Sequence, residues 1–254
     1  MEPSDKPRVT GRTRDLVVGL DRIIFSLARH WLLFLNLVIF IYAGLPFAAP
    51  VFMQAGVPGP ARAIYTLYSG LCHQLGYRSW FLFGERAAYP RDIFEAYSGI
   101  DPDAVNPGSN YPAGLQDSRA FIGNERMGWK VASCERDVGI YGVMLLFGLI
   151  YALPAVRNRV RPLPWLAYLL IGILPIGLDG FSQLFSQMGG VELFGIQPFA
   201  WIPYRESTPF LRSLTGGLFG LANAWLAFPY IRQSAQEIEA DLGGKLARAS
   251  VATT

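Results

Sequence analysis

The stretch "WLLFLNLVIFIYAGLPFAAPVFMQAGVPGPA", residues 31–61, contains no Asp, Glu, Lys or Arg. A helix rising 1.5 Å per residue needs about 20 apolar residues to cross some 30 Å of hydrocarbon, so this run alone sets the class to be tested. Three further charge-free runs follow at 138–156, 162–178 and 213–231, and the second of these continues past Asp179 to about residue 188. The whole chain is 52% hydrophobic and 16% charged, against about 25% charged in an ordinary soluble domain. Spans are predicted at 31–53, 138–157, 163–187 and 212–231. They must be helices, because lipid offers no partner for free backbone groups, and Pro46, Pro154, Pro175 and Pro229 mark kinks or ends. The expected fold class is all-α: a multi-pass membrane helical bundle of about four transmembrane helices.

Orientation follows from the basic residues. With four spans, residues 1–30, the "RNRVRP" connection and the tail 232–254 share one side and hold 12 of the 22 Lys and Arg. Such excess marks the cytoplasmic face, so both termini are expected in the cytoplasm of a prokaryotic plasma membrane. Residues 1–30 read as a cytoplasmic arm, with Trp31 onward an uncleaved anchor, and the tail as a short frayed helix followed by disorder. A span at 63–84 would carry "RNRVRP" outside; that segment is therefore expected to be a re-entrant or interfacial helix. Residues 85–133 form an extracytoplasmic insert, rich in turn residues. Its Phe94, Tyr97, Tyr111, Phe121 and Trp129 favour a packed cap, since disordered segments are poor in aromatics. The net charge of +3 reflects the inner flanks and points to no nucleic-acid partner; the lipid bilayer is the partner the composition implies.

The chain has two cysteines and two histidines, and this topology puts Cys72, His73 and Cys134 in one outer layer. If a helix begins near residue 134, then Cys134, Asp137 and Tyr141 share a face by spacings of three and four. Cys72, His73, Cys134 and Asp137 would make a closed tetrahedral set for a zinc-like ion. Adjacent residues on a helix diverge by about 100°, so Cys72 and His73 could both ligate only at a helix end or break. A Cys72–Cys134 disulfide on an oxidising face and two inert buried thiols are the competing readings.

Asp179 lies about sixteen residues into the third predicted span, and an ionisable group there is a candidate functional site, here an acid/base. The competing reading is a buried ion pair. Arg78, Arg136, Arg205 and Arg212 are its candidate partners, and the same four guanidiniums suit a carboxylate or phosphate, with Gln74 and Gln183 as neutral donors. An anionic or lipid-linked small molecule is the ligand class this implies. Near the last span, Ser207 or Thr208 can cap a helix opened by Pro209, with Glu206 favoured at its positive end, and Gly216 and Gly220 form a G-x-x-x-G face for close packing.

Four blocks, "LCHQLGYRSWFLFG", "SCERDVGIYG", "PIGLDGFSQLF" and "RESTPFLRSLTGGLFG", together resemble the bacterial and archaeal membrane proteins of domain of unknown function 2085. The resemblance covers roughly residues 65–230 and implies an architecture, with no activity attached. The family's second cysteine in C-x-R-C corresponds here to Asp137, which removes a third thiolate, and the gap between the first two blocks is longer here. The leading functional expectation is an outer-face site, metal-supported, acting on an anionic or lipid-linked ligand by hydrolysis or group transfer if it is an enzyme. The alternative is a non-enzymatic accessory or scaffold subunit held by a disulfide and buried ion pairs, with other membrane subunits as partners.

Overall fold

In a computed structural model, the structure describes residues 11–104, 113–188, 196, 198–199 and 201–251, the side chains of the last three aside. Tyr111 of the expected cap lies outside the described residues. Helix α1 (Arg12–Arg29) is followed after a one-residue break at His30 by α2 (Trp31–Gln54), then α3 (Pro58–Ser69). A short 3-10 turn at Gly76–Arg78 leads into strand β1 (Ser79–Leu82), helix α4 (Arg91–Ser98) and helix α5 (Ala113–Ala120). Strands β2 (Gly123–Asn124) and β3 (Gly128–Cys134) come next, and β3 passes directly into α6 (Glu135–Tyr151). After the single turn α7 (Pro154–Arg157), α8 (Trp165–Ala167), a π-helical stretch and α9 (Leu174–Gln187) run on as one helix. The 43-residue α10 (Pro209–Val251) completes the chain.

The expectation of a four-span, all-α bundle is overturned. Among the described residues two helices are long and apolar enough to cross a membrane, Trp31–Gln54 and Trp165–Gln187. Only 28% and 11% of their most apolar stretches are buried inside the protein, so they are not core helices of a soluble globule. The other two apolar runs were counted by absence of charge, which overlooks dilution. Helix α6 has 17 residues and opens on Glu135, Arg136 and Asp137; α10 interrupts its apolar run with Gly216, Gly217, Gly220 and Asn223. These two helices spend their facing sides on each other. A Cβ at Gly216 or Gly220 would collide with the carbonyl oxygens of Arg136 and Ile140, so the G-x-x-x-G face does bring two backbones together.

The second departure is a three-stranded antiparallel sheet, in the order β1-β3-β2. The segment 63–84, expected to be one helix, divides into the end of α3, an irregular loop, the 3-10 turn and β1. Strand β1 is four residues long and β3 carries Lys130 in its middle, so neither gives a readable alternation. The β2–β3 hairpin is tied by Asn124, whose Oδ1 accepts from the backbone N–H groups of Arg126 and Met127. Gly128 follows with φ +71, where an L side chain is strained.

Three apolar clusters hold these pieces together. Leu32, Ile39, Tyr151, Ala224 and Phe228 join α2, α6 and α10. Ala49, Ile64, Tyr65, Tyr68 and Ala132 fasten α3 and β3 to α2. Leu75, Tyr77, Phe81, Tyr89, Phe94 and Met127 form the core of the insert, and Tyr97 and Phe121 pack against it. Trp129 donates its indole N–H to Gln54 at 3.1 Å. At the other end the described part of the tail is not frayed: α10 continues unbroken to Val251 and packs on α1, and residues 252–254 lie outside the described residues.

Candidate metal and ion-pair site

The loop after α3 is shaped by hydrogen bonds. Cys72 donates its backbone N–H to the Tyr68 carbonyl, closing the helix end. Gln74 sits at φ 51, a left-handed conformation uncommon outside glycine. It is held there because its side-chain NH2 donates to the carbonyls of Tyr65 and Ala132, at 3.0 and 3.1 Å, while the Lys130 Nζ donates to its own carbonyl at 2.8 Å. Gln74 therefore clips the loop to β3. The pairing of Ser79 opposite Cys134 then brings the loop alongside the end of that strand.

Cys134 ends β3 and caps α6: its Sγ accepts from the Asp137 backbone N–H at 3.5 Å. Asp137, in the first turn, lies where a helix end favours a negative charge. The Sγ atoms of Cys72 and Cys134 and a carboxylate oxygen of Asp137 all lie within 4.8 Å of one another. Two thiolates and a carboxylate are ligands a zinc-like ion accepts, so this group could hold a metal. Both thiols are free. A hydrogen bond from Cys134 holds the Cys72 thiol below its ordinary range and pushes Cys134 well above it, with burial adding to the latter. His73 is not in the group; it is exposed, and with Cys72 it lines an adjoining cavity of about 240 Å3.

That cavity is also lined by Cys134, Asp137, Arg78, Arg136, Gln183 and Arg212. All four arginines singled out in the sequence are paired. Arg136 and Arg205 donate to the two carboxylate oxygens of buried Asp179, at 2.5 and 3.0 Å. Arg78 makes a two-pronged bond to Glu206, at 2.8 and 3.0 Å. Arg212, itself buried, bridges Glu135 at 3.1 Å and Glu206. Gln183 donates to Glu206 at 3.0 Å. The layer thus ties together α6, α9, α10 and the turn before β1.

Three participants were missed in the sequence. Glu135 is wholly buried, and burial pushes its carboxyl up to about 7 despite Arg212 beside it; its Oε1 has no hydrogen-bond partner. Glu206 was read only as a charge suited to a helix end, and it is the acceptor around which the layer is built. Lys130 lies in the insert and its charge would assign it to solvent, yet it is 1% exposed. A charge count carried the signal for the first two: four arginines set against Asp179 alone demand more carboxylates.

These features define a membrane protein with apolar helices, a small sheet-bearing cap and a polar layer between them. Residues 116–226 match the family described as "Predicted membrane protein (DUF2085)", so the resemblance read from the sequence blocks holds over that range. The matched range contains Cys134, Asp137, Asp179, Glu206 and Arg212, and leaves Cys72 and His73 outside it. The chain is also similar to "Uncharacterized protein MJ1492" of Methanocaldococcus jannaschii, 24% identical over 189 residues, which cover 72% of this chain and 81% of that relative. No solved structure matches.

Proposed function

We propose that this membrane protein holds a zinc-like divalent ion between Cys72, Cys134 and Asp137, at the outer face. The observation that carries the reading is the convergence of three ligand atoms within 4.8 Å, drawn from a loop, a strand end and the first turn of a helix. A tetrahedral site of this kind has ligand atoms roughly 3.5–3.8 Å apart, so the group closes on an ion by a shift of about 1 Å. Three protein ligands leave one position open, the arrangement typical of a site that binds a water or a ligand rather than a purely structural one. All three candidate ligands line the 240 Å3 cavity. There the ion would polarise a bound group or activate water, the chemistry of hydrolysis or group transfer.

A second reading, an accessory or scaffold subunit, is favoured by one observation: the carboxylates already occupy all four arginines, as a purely structural layer requires. Elemental analysis of the purified protein separates the two. The metal reading expects one ion per chain, lost in Cys72→Ser and in Asp137→Ala and kept in His73→Ala. Protein prepared with reduced thiols that takes up no divalent ion leaves the scaffold reading standing and removes the metal one.

A further inference from the structure

The Glu206 carboxylate accepts more hydrogen bonds than a carboxylate needs. Oε1 receives Arg78 Nε at 2.8 Å, Gln183 Nε2 at 3.0 Å and Arg212 Nη2. Oε2 receives Arg78 Nη2 at 3.0 Å, Gln187 Nε2 at 3.1 Å and the Tyr204 hydroxyl at 3.3 Å. Six donors crowd a group with about four acceptor positions. They come from four separate places: the turn before β1, two successive turns of α9, the segment before α10, and α10 itself. By contrast Glu206 stands outside regular structure, three residues before α10 begins. Five of the six bonds come from residues outside the irregular segment that carries Glu206, the construction of an anion site with an internal anion in it.

The surroundings give that site two sides. Arg78, Gln183 and Arg212 also line the 240 Å3 cavity beside Cys72, Cys134 and Asp137. Glu206 and Tyr204 line a different cavity, of about 470 Å3, with Arg91, Asp92 and Asp103. Arg78, Gln183 and Arg212 therefore face the inner cavity, while the carboxylate reaches them from the side it shares with Tyr204. The charges agree: without Glu206, Arg212 keeps Glu135, and Arg136 and Arg205 keep Asp179, whereas Arg78 loses its ion-pair partner.

We propose that Arg78, Arg212 and Gln183 form a cradle for a small oxyanion, a carboxylate or a phosphate group, and that Glu206 is its tethered occupant and competitor. Charge-assisted bonds, a two-pronged guanidinium among them, are what recognise such groups. An incoming ligand in the inner cavity takes over these donors as Glu206 withdraws on its loop. The proposal deepens the reading of the cavity as a ligand site, but it needs no metal, because no cradle residue is a proposed metal ligand.

The test is anion binding by the purified protein in detergent, with a chelator present, comparing wild type with Glu206→Gln and Glu206→Ala. Removing the competitor is expected to tighten binding of formate or inorganic phosphate at least tenfold over wild type, measured by calorimetry at matched ionic strength. Glu206→Ala should also melt below wild type and recover with formate or phosphate but not with chloride. If Glu206→Ala cannot be purified in chloride, recovery of monodisperse protein when formate is supplied during extraction gives the same readout. Bilayer discs containing phosphatidic acid, set against discs of phosphatidylcholine, tell whether a lipid phosphate protects the variants as free phosphate does. Variants that bind formate and phosphate no better than wild type overturn the cradle. Protein that takes up no divalent ion but shows the anion response fails the metal reading alone, and protein that binds the ion while the Glu206 variants show no anion response fails the cradle alone.

Discussion

The cap and the helix junction beneath it are both buried, and they are packed on opposite principles. In the cap, Tyr77, Phe81, Tyr89, Phe94 and Met127 are at most 2% exposed, and their rings meet mostly edge to face, as Phe81 and Tyr89 do with centroids 5.2 Å apart. Shape and area do the work there. A few residues away, Glu135, Asp179 and Glu206 are held by Arg78, Arg136, Arg205 and Arg212. There each charge is tolerated only because its partner is present. The apolar core degrades by increments, whereas the ionic layer fails pair by pair, and this difference can be measured.

The largest effect is expected where the two backbones that carry the layer approach each other. Gly220→Leu would drive a side chain into the carbonyl of Ile140 and separate α6 from α10, so no monodisperse protein should be recovered by size exclusion. Normal recovery would mean that the helices do not meet along this face. Next, Arg212→Leu leaves Glu135 and part of Glu206 buried without a cation and should cost about 3–5 kcal/mol. Met127→Ala in the cap should cost about 2–5 kcal/mol. The sharper contrast comes from a second substitution. Adding Glu135→Leu to Arg212→Leu should return part of the loss, because an apolar pair replaces a stranded charge. A second truncation beside Met127, such as Phe81→Ala, should only deepen it. Equal behaviour of the two double variants in denaturant titrations would erase the distinction.

How much of this could be read in the letters follows from the same contrast. The apolar runs at 31–61 and 162–178 were legible because a lipid-facing helix is apolar on every side. Helices α6 and α10 have comparable charge-free runs, but their polar and glycine positions serve each other's surfaces, and counting charges could not separate that from facing lipid. Strands β1 and β3 were hidden for a different reason: they are short, and Lys130 occupies a fully buried position that patterning assigns to solvent. Cys72, Cys134 and Asp137 were read as one group from their membrane side and helical spacing, and they do converge. His73 was included as a zinc-type ligand in the same layer, with its adjacency to Cys72 as the objection; the Cys72 Sγ, not the His73 ring, enters the group. The arginines were legible as a set, and Asp179 as a partner for them. Their other two partners were not, since Glu135 and Glu206 lie 71 positions apart and only the fold brings them to one guanidinium.

The smallest expected effect concerns the lysine that belongs to both regions. Lys130 reaches from β3 to donate to the carbonyls of Gln74 and Arg119, both at 2.8 Å, and burial pushes its amine down to about 7. In the unfolded chain the same amine titrates near 10.4. Between about pH 7 and about pH 10 the unfolded state therefore binds a proton that the folded state does not, and stability contributed by this group rises with pH across that window. Below about pH 7 both states carry the proton and the contribution is flat at its least favourable value. Lys130→Met removes the titration while leaving the two carbonyls without their donor. The difference between wild-type and variant unfolding free energies should accordingly grow in favour of wild type from neutral to alkaline pH. Taking the difference cancels groups that do not interact with Lys130; the Cys72 thiol, which does, is removed as Cys72→Ser in both proteins. Parallel curves would mean that Lys130 keeps its proton in the fold, and that its two carbonyl bonds outweigh its burial.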